Sequence, residues 1–446
     1  MNKDRSRITD FQKFLFLNSP KEGYRPWEKG DISVGISTSS RRRRSEIKDI
    51  KRAKELNFSK RVQEMEDPNA APLDKDAIGV DSEHEERIKT ETGLKRFEGC
   101  LLGGAVGDAL GAPIEFSRLS SIRTRYGYDG LKDYVPAFGK IGAITDDTQM
   151  TLFTAEGLLR GVVRFRERGI CSPQHVIYNA YLRWLQTQGH IVRNETSDLW
   201  VYRPNSWVRD LPEMNSLRAP GNTCMEALMS GEMGTTENRI NDSKGCGGVM
   251  RVAPIGLIAL DPFGLAVKAA AITHGHPSGY LSAGVFALII GQVVNGSSLR
   301  DAINKALFEE LPKHEHHGET LIACRKAIDL ADSVMAEENG TPTAEMVESL
   351  GGGWVGEEAL AIAIFCSLVH ENDFEKAIIL SVNHSGDSDS TGSMTGNILG
   401  ALHGVDVIPQ RWLEPLELRD AIKEMAVDLA TVYRDDRQWK EKYPGI

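Results

Sequence analysis

The strongest constraint on the fold of this chain is the helical spacing of its apolar residues from Leu94 onward. Leu152, Ala155 and Leu159 recur at three and four residues, which is the spacing of one face of an amphipathic helix. Within residues 360–369 apolar side chains fill both faces, which predicts a helix buried on all sides. Strict alternation of apolar and polar residues, the mark of a half-buried strand, is missing from this part of the sequence. We therefore predict an all-α body with short, glycine-rich connections.

Residues 1–90 differ in composition, and we predict that they form an N-terminal extension before a body at residues 91–446. A basic run at residues 41–61 contains ten basic and three acidic side chains. Residues 64–86 are acidic, interrupted by proline and poor in large apolar residues, as linkers are. The basic run fits three interpretations: a partner-binding segment, a solvated helix packed on the acidic body, or a nucleic-acid contact.

The charge of the chain divides unevenly between these two parts. Residues 1–90 contain 20 basic and 17 acidic side chains, and the remainder contains 33 and 46, a net charge of −13. An acidic body argues against nucleic acid as its main ligand, because phosphate binding requires an excess of Lys and Arg.

Six scattered cysteines without a CxxC pair are typical of reduced thiols. The N-terminus lacks the apolar segment of a secretory signal. The most apolar stretch, Ser282–Val294, is shorter than the roughly 20 residues that span a bilayer, so we interpret it as a core helix. We expect a soluble, cytoplasmic protein that does not bind a membrane.

Three polar motifs at junctions between turns and apolar helices contain candidate metal ligands. They are GDALGAPIEF at residues 107–116, TDDTQM at residues 145–150 and GDSDST at residues 386–391. They supply the acids Glu115, Asp146, Asp147, Asp387 and Asp389 and the hydroxyls of Thr145, Ser390 and Thr391. Mg²⁺ prefers oxygen ligands, and two ions can share carboxylates. Each motif alone also fits a plain helix N-cap, but two acid clusters before apolar helices favour a shared metal site.

A fourth motif, KGCGGVMR at residues 244–251, is a glycine-rich loop that precedes a helix. The backbone N–H groups of such a loop can hold a pyrophosphate, although most such loops are only turns. His274 and His276 have no further Cys or His at zinc spacing, so we interpret them as solvent-facing or ligand-contacting residues. Asp108, within a GDxxG turn, is interpreted as a structural hydrogen-bond acceptor. These residues predict a two-metal site and leave the reaction open.

Taken in order, these motifs make the body resemble the ADP-ribosylglycohydrolase family, which contains ADP-ribosylarginine hydrolases and the dinitrogenase-reductase-activating glycohydrolase. The resemblance rests on RFEGCLLGGAVGDALGAPIEF, ITDDTQM, RAPGNTC, GCGGVMRVAPIG, THGHP, GGGWVGEEALAIAIF and NHSGDSDSTGSMTGNILGALHG. It implies a large single-domain orthogonal helical bundle. It does not extend to the first 90 residues.

The resemblance also implies roles for individual residues. Two Mg²⁺ ions would be held by Thr145, Asp146, Asp147, Asp387, Asp389 and Ser390. Glu115 and Asp147 would be the catalytic acids that assist departure of the leaving group. The ADP-ribose would be contacted by Gly245, Cys246, Gly247, Gly248, His274 and Trp354. Cys246 departs from the family pattern, because it replaces the polar residue common at that position.

The implied function is magnesium-dependent hydrolysis of the glycosidic bond between ADP-ribose and a protein side chain, through an oxocarbenium-like transition state. The GDSDST form is closer to the arginine-directed members. An ADP-ribosylated protein would be the substrate and ADP-ribose the product. Some family members are immunity proteins that also block an ADP-ribosyltransferase toxin, and an extension at residues 1–90 is compatible with that role. The alternative is a non-catalytic protein that inhibits a partner enzyme by occlusion.

Overall fold

The computed structural model describes residues 90–190, 205–338 and 340–445. These residues form seventeen α-helices and no β-strand, which confirms the predicted all-α fold class. Two isolated bridges, between Ala137 and Lys140 and between Gly245 and Val355, are the only β-type pairings in those ranges. The predictions for residues 1–89 lie outside the described residues, so the boundary near residue 90 stays a prediction.

Long core helices alternate with short helices and turns along the chain. The first eight helices are α1 (Glu91–Gly111), α2 (Leu119–Tyr126), α3 (Asp146–Arg168), α4 (Pro173–Thr187), α5 (Asn222–Met229), α6 (Ala253–Ile258), α7 (Pro262–Ala271) and α8 (Pro277–Val294). The other nine are α9 (Leu299–Asn304), α10 (Gly318–Ala336), α11 (Ala344–Leu350), α12 (Gly356–Val369), α13 (Phe374–Val382), α14 (Ser388–His403), α15 (Gln410–Leu413), α16 (Arg419–Thr431) and α17 (Arg437–Lys442). Short 3₁₀ or π turns occur at Pro212–Met214, Cys246–Gly248, Lys305–Glu310, Leu311–Lys313 and Val405–Val407.

The helices α8 and α12 form the centre of the core. Every residue of α12 from Ala359 to Leu368 is buried, as the apolar residues on both faces predicted. By length and composition alone α8 could cross a membrane, but 94% of it is buried inside the protein. One such helix is weak evidence for a membrane span, and its burial confirms the predicted core helix.

The helices α1 and α14 pack antiparallel along facing rows of glycine. The motif at residues 107–116 begins in the last turn of α1, and the motif at residues 386–391 leads into α14. The glycines recur every four residues, at positions 99, 103, 107 and 111 of α1 and 392, 396 and 400 of α14. A Cβ atom on Gly107 would lie 2.0 Å from the carbonyl oxygen of Gly392. Only residues without a side chain allow two backbones to approach so closely. This packing brings the C-terminal end of α1 against the N-terminal end of α14.

Candidate active site

The TDDTQM motif begins α3. Thr145 is the N-cap, and its hydroxyl accepts a hydrogen bond of 3.2 Å from the backbone N–H of Asp147. Asp146 and Asp147 lie buried in the first turn, and the backbone N–H of Gly221 donates to Asp146 Oδ2 at 3.3 Å. The helix dipole favours acids at this position. The motif is therefore a helix cap, and it also holds two carboxylates at a helix N-terminus.

The GDSDST motif begins α14 in the same way. Asp387 is the N-cap, and its Oδ1 accepts from the backbone N–H of Ser390 at 3.4 Å. Asp389 follows in the first turn and is buried. The Thr391 hydroxyl is hydrogen-bonded to the carbonyl oxygen of Ser381 at 2.8 Å. Ser390, rather than Thr391, therefore offers a hydroxyl at this helix end.

Glu115 lies beside Asp387 and Asp389, the acids at the start of α14. One carboxylate oxygen from each of Glu115, Asp387 and Asp389 lies within 4.8 Å of the others. The glycine rows explain this convergence, because a Cβ on Gly111 at the end of α1 would lie only 2.4 Å from the Ser388 carbonyl oxygen. Residues 272 positions apart in sequence are thus brought together by one helix pair.

Asp108, in the last turn of α1, contacts the start of α3, where Asp146 and Asp147 lie. It is fully buried and accepts from the backbone N–H groups of Thr145 and Thr148, at 3.0 and 3.1 Å. The Thr148 hydroxyl also donates to Asp108 Oδ2. Asp108 has the structural role that the sequence predicted, since it fixes the start of α3 against α1.

The buried acids carry an electrostatic cost in the absence of a cation. Burial is the main reason why the pKa values of Asp146, Asp147 and Asp389 lie well above their usual range. Burial, and then the charges of Asp387 and Asp146, raise the pKa of Glu115 to about 9. Uncompensated buried charge is unfavourable unless it is paired or coordinates a metal.

Two of the buried carboxylate oxygens have no hydrogen-bond partner within the described part of the chain. Within the candidate site they are Asp147 Oδ2 and Asp389 Oδ1. Carboxylate and hydroxyl oxygens are the ligands that hard divalent cations prefer. The donor set, the convergence of the carboxylates and the two unpartnered oxygens therefore fit a divalent metal site.

Cys246 connects the glycine-rich loop to the acid cluster. Its Sγ lies 2.7 Å from Asp387 Oδ2 and 3.6 Å from Ser390 Oγ. Its backbone N–H donates to the carbonyl oxygen of Trp354 at 3.1 Å. The resemblance implied that Cys246 contacts ADP-ribose and departs from the family pattern, and the structure places its thiol against two candidate metal ligands.

His274 packs beneath the glycine-rich loop. Cβ atoms built on Gly245 and Gly248 would each lie 3.3 Å from atoms of its ring, a tighter contact than most Cβ atoms make, so the loop packs closely on the ring. The side chain is 1% exposed, which excludes the solvent-facing interpretation and leaves the ligand-contacting one as a prediction. Burial, and then the charge of Arg251, lower the pKa of His274 to about 3.

Trp354 lies on a loop that contacts Asp387. The backbone N–H of Asp387 donates to the carbonyl oxygen of Gly352 at 2.8 Å. Trp354 is 42% exposed, and its ring stacks on that of Phe116, which is 68% exposed. Trp354 is therefore not a core residue. Phe116 directly follows Glu115, and no sequence motif had singled it out as a site residue.

Comparisons with known proteins identify the family of the chain. The family model described as ADP-ribosylglycohydrolase matches residues 89–439. The chain therefore belongs to the ADP-ribosylglycohydrolase family, and it is a hydrolase of ADP-ribosylated substrates. This confirms the predicted class of enzyme.

Three relatives illustrate the range of similar proteins. The ADP-ribosyl-dinitrogen reductase glycohydrolase of Rhodospirillum rubrum is 26% identical, over 73% of this chain and 91% of its own length. The ADP-ribosylarginine hydrolase Tri1 of Pseudomonas putida is 24% identical, over 77% and 80% of the two chains. The ADP-ribosylhydrolase ARH3 of Bos taurus is 23% identical, over 76% and 94%.

A solved structure supports the fold. A chain from a structure titled "ADP-ribosylglycohydrolase-related protein complex" aligns with a TM-score of 0.52 and 23% sequence identity. The alignment covers 77% of this chain and 99% of the other. The similarity confirms the predicted fold type.

Proposed function

We propose that the protein hydrolyses the bond between ADP-ribose and an arginine side chain of a modified protein, and that it uses two Mg²⁺ ions. The convergence of Glu115, Asp387 and Asp389 within 4.8 Å is the observation that carries the proposal. The acids at the start of α3, Asp146 and Asp147, are fixed against α1 through Asp108. The proposed ligands are Thr145, Asp146, Asp147, Asp387, Asp389 and Ser390.

Bound Mg²⁺ would orient the ribose hydroxyls and polarise a water molecule. Departure of the guanidine requires a proton or another means of stabilisation, for which Glu115 and Asp147 are the candidate donors. In the metal-free protein the pKa of Glu115, raised to about 9, favours the protonated carboxyl near neutral pH, and bound Mg²⁺ would lower that pKa. Phosphate oxygens of ADP-ribose would contact the Gly245–Gly248 loop, with His274 beneath it, while the N–H of Cys246 stays paired with the Trp354 carbonyl oxygen.

Two observations support arginine as the modified residue. One relative is named an ADP-ribosylarginine hydrolase. In addition, Phe116 presents an exposed aromatic ring directly after Glu115 in the chain. A planar guanidinium can lie over an aromatic ring and pair with a carboxylate, which a serine side chain cannot do.

The linkage is tested with one protein substrate ADP-ribosylated on arginine and another ADP-ribosylated on serine. Release of ADP-ribose is measured for each, with Mg²⁺ and with a chelator. We expect magnesium-dependent release from the arginine substrate, with Asp389→Ala as an inactive control. Release from the serine substrate alone would overturn the arginine assignment while leaving the hydrolase assignment intact.

A second proposal concerns residues 1–90 and rests on their composition. The segment combines aromatic side chains with a basic run, and such segments often order on a partner protein. We propose that it binds an ADP-ribosyltransferase, which would add an immunity role to the hydrolase. Six unpaired cysteines support a reducing compartment, the cytoplasm, as the location of the protein.

A further inference from the structure

Arg251 is a fully buried cation at the end of the glycine-rich motif. Its guanidinium lies 4.2 Å from the centroid of the Tyr181 ring. It also donates to Met150 Sδ at 3.7 Å, Cys224 Sγ at 3.5 Å, the carbonyl oxygen of Ala269 at 3.2 Å and Thr273 Oγ1 at 2.7 Å. Burying a guanidinium is costly, so these contacts need a structural or functional reason.

The hydrogen bond from Arg251 to Thr273 determines whether the Thr273 hydroxyl donates to its other neighbours or accepts from them. A guanidinium has only donors, so Thr273 Oγ1 accepts from Arg251 and keeps its own hydrogen for another partner. The Nδ1 atom of His274 lies 2.8 Å from the same oxygen. A neutral imidazole nitrogen is a better acceptor than the thiol of Cys224, the other neighbour of this hydroxyl. The hydrogen of Thr273 therefore points to Nδ1 of His274.

An imidazole that accepts at Nδ1 must carry its proton at Nε2 when it is neutral. The ring is neutral near pH 7, since burial and the charge of Arg251 lower the pKa of His274. Nε2 is the ring atom closest to a Cβ built on Gly245, at 3.3 Å. Among the described residues, no acceptor is hydrogen-bonded to Nε2. The N–H donor thus lies beneath the glycine-rich loop without a partner among the residues that the structure describes.

We propose that Arg251 and Thr273 are positioning residues that fix His274 in the Nε2–H tautomer, so that it donates a hydrogen bond to an oxygen of the ligand at the Gly245–Gly248 loop. The inference rests on the proposed function for the identity of that ligand, ADP-ribose. It identifies the kind of ligand atom that lies at this point of the loop. That atom is a hydrogen-bond acceptor, such as a phosphate oxygen or a hydroxyl oxygen. A ligand group that can only donate is excluded there.

The tautomer is measured directly on the full chain labelled with ¹⁵N-histidine, without ligand, by the long-range ¹H–¹⁵N correlations of the imidazole rings. His274→Gln assigns the signals by their loss. We expect the Nε2–H tautomer in the wild type and in Thr273→Ser, which keeps the hydroxyl. Thr273→Val keeps the shape of the side chain but removes the hydroxyl, and we expect it to reduce the Nε2–H population. An Nδ1–H tautomer in the wild type would overturn the proposal.

Binding provides the second readout. We expect Thr273→Val and His274→Ala each to weaken ADP-ribose binding about tenfold in calorimetry, the loss expected for one hydrogen bond to a charged group. Thr273→Ser and His274→Gln, whose amide nitrogen can replace Nε2, should stay within about threefold of the wild type. The matched control is Thr320→Val, another fully buried threonine, whose hydroxyl pairs with Ser282.

Circular dichroism on each variant separates these losses from unfolding. If Thr273→Val unfolds, the ADP-ribose affinities of His274→Ala and His274→Gln test whether His274 donates a hydrogen bond to the ligand. Both of these variants retain Arg251 and Thr273. Equal affinities of these two variants would overturn the donor role. The tautomer is read without substrate, so a wild-type protein that holds the Nε2–H tautomer but does not release ADP-ribose would contradict the proposed function alone.

Discussion

The ring of Phe116 stacks on the indole of Trp354, with ring centroids 5.1 Å apart and planes inclined by 20°. Phe116 adopts a φ of 63°, a left-handed conformation that is rare for a bulky residue. Strained backbone of this kind is often retained at ligand sites. The stack joins the loop that carries Glu115 to the loop that contacts Asp387, so both aromatic rings lie at the edge of the acid cluster.

Trp354→Ala should weaken ADP-ribose binding by about 1–3 kcal/mol, because a base stacked on an aromatic ring contributes about this much. Calorimetry measures the affinity. The melting temperature should change little, since the side chain is 42% exposed. Phe308→Ala, a partly exposed aromatic residue on a different segment, is the control. An affinity equal to that of the wild type would contradict a stacking role for Trp354.

The helix type and the acid motifs were predictable because both depend on short-range sequence patterns. Apolar spacing predicted the buried helix α12, and the turn motifs predicted the acids at the starts of α3 and α14. The stack of Phe116 on Trp354 and the contact of Cys246 with Asp387 were not predicted. These contacts depend on how distant loops meet.

A local signal for one of those long-range arrangements was nevertheless present in the sequence. Glycine recurs every four residues in α1 and again in α14. Such a repeat marks a helix face without side chains, which a second helix can approach closely. It would have predicted the α1–α14 contact that places Glu115 beside Asp389.

Gly107→Ala should destabilise the protein by about 1–3 kcal/mol or more, because the new methyl group would overlap the contact with α14. Its Cβ would lie 2.0 Å from the Gly392 carbonyl oxygen. Chemical denaturation measures the change in the free energy of unfolding. Gly318→Ala, in a helix where nothing lies within 4 Å of the added atom, should be neutral or stabilising. Equal stabilities of the two variants would contradict the close packing of α1 against α14.

The metal-free protein should lose thermal stability as the pH rises from about 5 to about 8. The carboxyl pKa values of Glu115, Asp146 and Asp147 are raised in the folded state, that of Glu115 to about 9. Above the ordinary carboxyl pKa of about 4, the folded protein therefore binds more protons than the unfolded chain, and its free energy of unfolding falls with rising pH.

Melting temperatures in chelator and in Mg²⁺ across this pH range measure the effect. Mg²⁺ should raise the melting temperature more at the upper end than at the lower end, because the ionised acids bind it. Glu115→Gln should reduce the slope in chelator. A melting temperature in chelator that is independent of pH would contradict the electrostatic account of the acid cluster.

Removal of residues 1–89 should leave hydrolysis unchanged and abolish capture of an ADP-ribosyltransferase. Truncation before Thr90 keeps the N-cap of α1, whose hydroxyl accepts from the backbone N–H of Gly93 at 3.0 Å. Pull-down of a transferase by the full and truncated chains measures the binding. A further variant, in which the basic residues of 41–61 are replaced by glutamine, tests whether capture depends on the positive charge of this run. Equal capture by full and truncated chains would contradict the proposed role of the extension.

The most direct measurement is the rate of ADP-ribose release from an arginine-ADP-ribosylated protein, for the wild type and for the double variant Asp146→Ala/Asp389→Ala. The two substitutions remove one acid from each helix start, and circular dichroism confirms that the variant remains folded. We expect release by the wild type in Mg²⁺, none in chelator, and none by the double variant under either condition. Full release in chelator, or by the double variant, would contradict hydrolysis at a metal site formed by α3 and α14.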